Sequence, residues 1–104
     1  MGGRAREPHL VVGVLRLELF LAENHSLKGK RSVLRTIKAR VSNKFNVSVA
    51  ECADLDLWQK AVLGIAQVGS EQSHVDAALS QVVSFIERMQ IAELGAQDVE
   101  FFHY

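Results

Sequence analysis

Lys28, Lys30, Arg31, Arg35, Lys38, Arg40 and Lys44 are seven of the chain's twelve lysines and arginines, and no aspartate or glutamate occurs from Asn24 to Ala50. A run of fixed positive charge without local counter-charge suits one chemistry above others, the holding of an anion. At about 100° per residue, Lys28, Arg31, Arg35 and Lys38 gather on one flank of a helix, with their heads on adjacent turns. Lys28, Lys30 and Arg31 also fall in or near the first turn. There the positive end of the helix dipole disfavours cations, by on the order of a few tenths of a kcal/mol each. An anion bound at that turn would reverse the cost, because free N–H groups and side-chain charges would all point at it. Gly29 would let a phosphate approach the backbone closely. The candidate anion or nucleic-acid site is therefore Ser26, Lys28, Lys30, Arg31, Arg35 and Lys38; His25 beside it could help hold an anion, but reads first as a capping or solvated loop histidine. The plainer alternative is a solvated face, or one neutralised by Glu51, Asp54, Asp56 or Glu71 of this chain or of a neighbouring subunit.

Other chemistries find less support. HSLKGKRS contains Gly-Lys but lacks the first glycine of a Walker A loop, and Arg31 stands where Ser or Thr is needed. His9, His25, His74 and His103 share no ligand-type spacing, so no metal site is indicated. Cys52 lies near the end of an apolar strand with acids after it, which reads as a quiet, half-buried thiol. Glu18 and Glu51 are better placed to pair with Arg16 or Lys60 across strands than with each other. Trp58 and Phe20 could stack bases, but the strand around Trp58 lacks the aromatic-rich pattern of an RNA-recognition motif. Trp58 therefore reads as core or interface. No nucleophile, base and orienting group assemble into a catalytic set, and no cofactor is expected.

The elements that must position the basic run follow from hydrophobic periodicity. Residues 9–21 alternate, with Leu15, Leu17, Leu19 and Leu21 on one side, and read as a strand. Ser26 is a suitable N-cap. Val33, Leu34, Ile37 and Val41 recur at helical spacing, predicting a helix over 27–44. Residues 45–52 alternate again as a strand. Residues 57–68 are apolar on both faces, with Trp58, Val62, Ala66 and Val68 opposite Leu57, Leu63 and Ile65, and read as a third strand. Ser73 followed by Asp76 resembles a capping box opening a helix over 73–89. Gly95 marks a loop before a short last strand at 98–102. The order βαββαβ is the split-βαβ, ferredoxin-like α+β arrangement. Right-handed crossovers would place both helices on one face of a four-stranded antiparallel sheet.

The whole chain sets the frame. Its 104 residues fit one domain, 48% are apolar, and the charges balance to zero. Residues 1–8, polar and Gly/Arg-rich, read as a mobile tail ahead of a single domain at 9–104. One cysteine excludes an internal disulfide and points to a reducing compartment, so a cytoplasmic setting is expected. No apolar run reaches the roughly 20 residues of a membrane span.

SLKGKR, the basic helix after it, FNVSVAE and LWQKAVLGIAQV together resemble the YlxP-like family of small bacterial proteins, a domain of unknown function. The likeness spans residues 10–102 and rests on Ser26-Leu27-Lys28, Lys30-Arg31 and the run from Phe45-Asn46-Val47 to Glu51. It implies a ferredoxin-like fold and a bacterial cytoplasm. Its genes often neighbour translation and ribosome-maturation genes, which implies a role near RNA or ribosomes; no catalytic residues carry over. The expectation is a non-enzymatic accessory protein that binds RNA or the ribosome through the basic helix. A homodimer or tetramer packed through the sheet is the alternative. A third possibility is a small-anion binder or enzyme using the loop at 24–31.

Overall fold

Alternation in the first apolar run produces β1 (Val11–Phe20), whose residues are buried at every second position from Val11 to Leu19. It is followed by α1 (Leu27–Lys44), β2 (Ser48–Ala53), β3 (Lys60–Gly69), α2 (Gln72–Met89) and β4 (Glu93–His103). The computed structural model describes residues 9–104; the tail expected over 1–8 lies outside the described residues. The strands form one antiparallel sheet in the order β2-β3-β1-β4. This is the ferredoxin-like α+β fold.

The register sorts side chains cleanly. Leu15, Leu17 and Leu19 stand opposite Ile65, Leu63 and Ala61, and all six are buried against Leu34, Ile37 and Val41 of α1 and Val75, Leu79, Val82 and Ile86 of α2. The other sheet face carries Val12, Val14, Ala66, Val68 and Phe102, paired row by row; Val68 and Phe102 are exposed. The two-faced apolar character of the third strand thus has one face in the core and one outside it.

Several boundaries differ from the sequence reading. β3 begins at Lys60 rather than Leu57, so Leu57 and Trp58 belong to the β2–β3 loop, and Trp58 is exposed rather than core. The N-cap of α2 is Glu71, without a side-chain cap bond, and Ser73 already lies inside the helix; the capping-box reading is corrected. β4 runs from Glu93 and includes Gly95. At Gly95 a Cβ would fall 2.5 Å from Phe20 and 2.6 Å from Glu18 Oε1, so a close approach of β1, not a loop, requires the glycine. Cys52 is exposed, not half-buried.

Candidate basic groove on the first helix

The first turn of α1 is capped from within. Ser26 Oγ accepts a hydrogen bond from Gly29 N at 2.9 Å, and Ser26 O accepts from Lys30 N. The Asn24 side chain packs where a Cβ on Gly29 would stand and donates to Ser26 O and to Trp58 O. The close approach expected at Gly29 is filled by Asn24, and the Ser26 hydroxyl is engaged by Gly29 N, so Ser26 serves the helix and leaves the candidate set.

Lys30 leaves it too. It is 2% exposed, and its Nζ donates to Asp54 O and Leu57 O, both at 2.7 Å. The same nitrogen lies 2.8 Å from Glu51 Oε2, a buried oxygen with no hydrogen bond of its own, so that contact is ionic. Burial of a charge is tolerable only with such pairing. The reason lies in the spacing: Lys30 precedes Leu34, Ile37 and Val41, the buried stripe of α1, by helical intervals, so its side chain enters the stripe. There it joins α1 to β2 and to the loop after it.

The remaining cations divide by face. Arg40 sits over the Phe85 ring, and Lys44 over both Phe45 and Phe85, at about 6 Å from each centroid. Arg31, Arg35 and Lys38 line one groove between α1 and β2, of about 480 Å³, whose wall includes Leu34 and Glu51. All three are exposed, as is Lys28 one turn earlier. Among the described residues none of these four has a carboxylate within ion-pairing distance. Of the acids suggested as neutralisers, Glu51 lines this groove but engages Lys30, Asp54 engages Lys60, Glu71 engages His74, and Asp56 lies at a different hollow beside Trp58. Glu18 pairs with Lys60 at 3.0 Å, as the sequence suggested. That hydrogen bond, with one from Ala96 N, holds the Glu18 carboxyl below its usual range, and the same contact pushes Lys60 upward.

A second concavity was not found by sequence reasoning. Phe20, His25, Leu57 and Trp58, with Asp56 and Lys60, bound a hollow of about 790 Å³ at the end of the sheet. The continuity of Leu57 and Trp58 with an apolar run concealed it, because both read as strand residues. Among the described residues no three His, Cys, Asp or Glu side chains form a metal-ligating cluster, and no helix is long and apolar enough to cross a membrane.

Fold and groove together define a ferredoxin-like domain whose first helix carries a cationic strip without a carboxylate partner among the described residues. The chain belongs to the DUF503 family, described as a protein of unknown function, whose model matches residues 12–99. It is 37% identical over 92 residues to the uncharacterised protein YlxP of Bacillus subtilis (strain 168), covering 88% of this chain and all of that one. Among solved structures it is similar to the de novo designed protein Foldit4, with a TM-score of 0.53 and 12% identity over 91% of this chain and 98% of the other. That likeness shows the fold alone.

Proposed function

We propose that this protein is a non-enzymatic cytoplasmic accessory factor that binds RNA, free or in a ribosomal particle, through its phosphates. Arg31, Arg35 and Lys38 are the contacts, with Lys28 at the head of the strip. The observation that carries this reading is the segregation of charge. Three cations line one groove without a carboxylate partner among the described residues, while nearby acids are engaged by Lys30 and Lys60. Two of the three are arginines, whose planar fork suits phosphate oxygens. Fixed positive charge on a stable helix attracts a polyanion without sequence preference, and its affinity falls steeply with salt. The test is binding of structured and single-stranded RNA over a salt series, with sedimentation alongside ribosomal subunits. The Arg31→Ala/Arg35→Ala variant should lose most of the binding. Unchanged binding by that variant, or no binding at low salt, would falsify the proposal.

A second reading concerns the sheet face that carries no helix. Val12, Val14, Ala66, Val68 and Phe102 form an apolar patch there, bordered by Glu100, which stands opposite Val14, and by Arg16 and Asp98, which pair at 3.4 Å. Opposite charges beside one apolar patch are self-complementary under a twofold axis, so the partner we propose for this face is a second copy of the chain. Light scattering at micromolar concentration should give a dimer mass and Val68→Lys a monomer mass; a monomer for the unaltered protein rejects it.

A further inference from the structure

We infer that the hollow at Trp58 seats an unpaired nucleobase of the same RNA whose phosphates lie along α1. This rests on the RNA reading above and extends it to single-stranded RNA.

The loop between β2 and β3 is fixed in place by its backbone. Lys30 Nζ holds Asp54 O and Leu57 O, Asn24 holds Trp58 O, and Gln59 Nε2 reaches Ala22 O at 3.2 Å and Asn24 O at 3.0 Å. A loop secured at so many points has little freedom to fold its side chains away. Trp58 nevertheless keeps 53% of its surface exposed and Leu57 48%. Apolar surface held rigidly in water is costly and marks a contact site. The walls supplied by Phe20, His25 and Trp58 are flat π-faces, which accept any base by stacking. Asp56 on the rim can accept a hydrogen bond from the N–H edge of a base, an edge that duplex pairing would occupy.

Charge selects RNA over an apolar peptide as the occupant. His25 lines the hollow and is followed directly by Ser26 and α1, so this wall of the hollow leads along the chain into the first turn of the cationic strip. The same Asn24 side chain that holds Trp58 O packs on Gly29 in the first turn. A strand leaving the hollow past His25 would meet Lys28 and then Arg31, Arg35 and Lys38, which span about 10 Å of helix.

Trp58 is the only tryptophan, so its fluorescence reports the hollow alone. The probes are an unstructured oligoribonucleotide and a blunt RNA duplex of equal charge. The single strand should quench Trp58 and the duplex should not. Trp58→Ala should weaken single-strand binding by about tenfold while duplex binding stays unchanged, and Trp58→Phe should recover most of the loss. Because Trp58 is exposed, circular dichroism should show both variants folded. Equal binding by Trp58→Ala, or no quenching on a bound single strand, overturns the inference and leaves the phosphate reading standing. Loss of all RNA binding by the unaltered protein fails that reading as well. A dimer that Trp58→Ala converts to monomer, with RNA affinity unchanged, assigns the hollow to a second copy and overturns the inference too.

Discussion

Lys30 Nζ lies 2.8 Å from Glu51 Oε2, with the lysine side chain 2% exposed and the glutamate 21%. One contact joins the first turns of α1 to β2, and through two carbonyls it also shapes the loop that follows. Removing one partner strands the other charge. Lys30→Met is expected to cost about 3 kcal/mol, lowering the melting temperature by on the order of 15 °C for a domain of this size. Lys30→Met with Glu51→Leu should recover much of that, since no lone charge then remains. A thermal melt of the single and double variants checks both values; a near-neutral single variant would remove Lys30 as the anchor of the loop.

The salt dependence of RNA binding carries its own count. If Arg31, Arg35, Lys38 and Lys28 each neutralise about one phosphate, log K against log salt has a slope of about −2 to −3 on a single strand. Each substitution of one of them by alanine should flatten it by about 0.7. Arg40→Ala should leave the slope unchanged, because that guanidinium sits over the Phe85 ring.

The Glu18–Lys60 pair gives a pH dependence with a definite sign. Glu18 is held below the ordinary value of 4.5, first by the Lys60 hydrogen bond and then by that of Ala96 N. Its contribution is therefore present above that value and lost as pH falls through the lowered one. Lys60 is raised above 10.5, chiefly by Glu18, so its contribution holds below that value and fades as pH rises through the higher one. Glu18→Gln should flatten both the acid limb and the alkaline limb of a plot of stability against pH.

Gln90 ends α2 with φ 56, in the left-handed region, where a Cβ is unfavourable and glycine is the common residue. Gln90→Gly should stabilise the fold by about 0.5 kcal/mol, seen as a rise of a few degrees in the melt. A fall would show that the glutamine side chain makes a stabilising contact of its own.

Cys52 is exposed and lies on the sheet face away from the helices, near Gly64. A thiol reagent should modify it in the native protein at low concentration. If two copies meet through that face, the rate should fall as the protein is concentrated; a rate independent of concentration opposes the dimer.

The periodic parts of the fold were legible because one face of each is buried. β1, α1 and α2 appear within about two residues of their expected limits. What escaped depends on distant partners. Leu57 and Trp58 have the apolar character of a strand, and the loop they occupy is held by Lys30 and Asn24, more than 25 residues away in sequence. Lys30 was readable in principle, since its spacing from Leu34, Ile37 and Val41 puts it on the buried stripe. Its charge argues for the surface, and what lets it be buried, Glu51 and two carbonyls, comes from more than 20 residues away in sequence. Arg31, Arg35 and Lys38 were legible as a flank because nothing distant intervenes, and their position beside β2 follows from the crossover.

The strand order has a consequence for how the chain reaches this state. β1 lies between β3 and β4, and Arg16 meets Asp98 across 82 residues of sequence. Neither neighbour of β1 is local, and among the described residues only β2 and β3 form a hairpin. Loop closure over such separations must precede any reward from pairing, which places folding toward the slower end for small mixed domains. Until residues 93–103 dock, VVGVLRLELF has an open edge through which a nascent or heated molecule can pair with another chain.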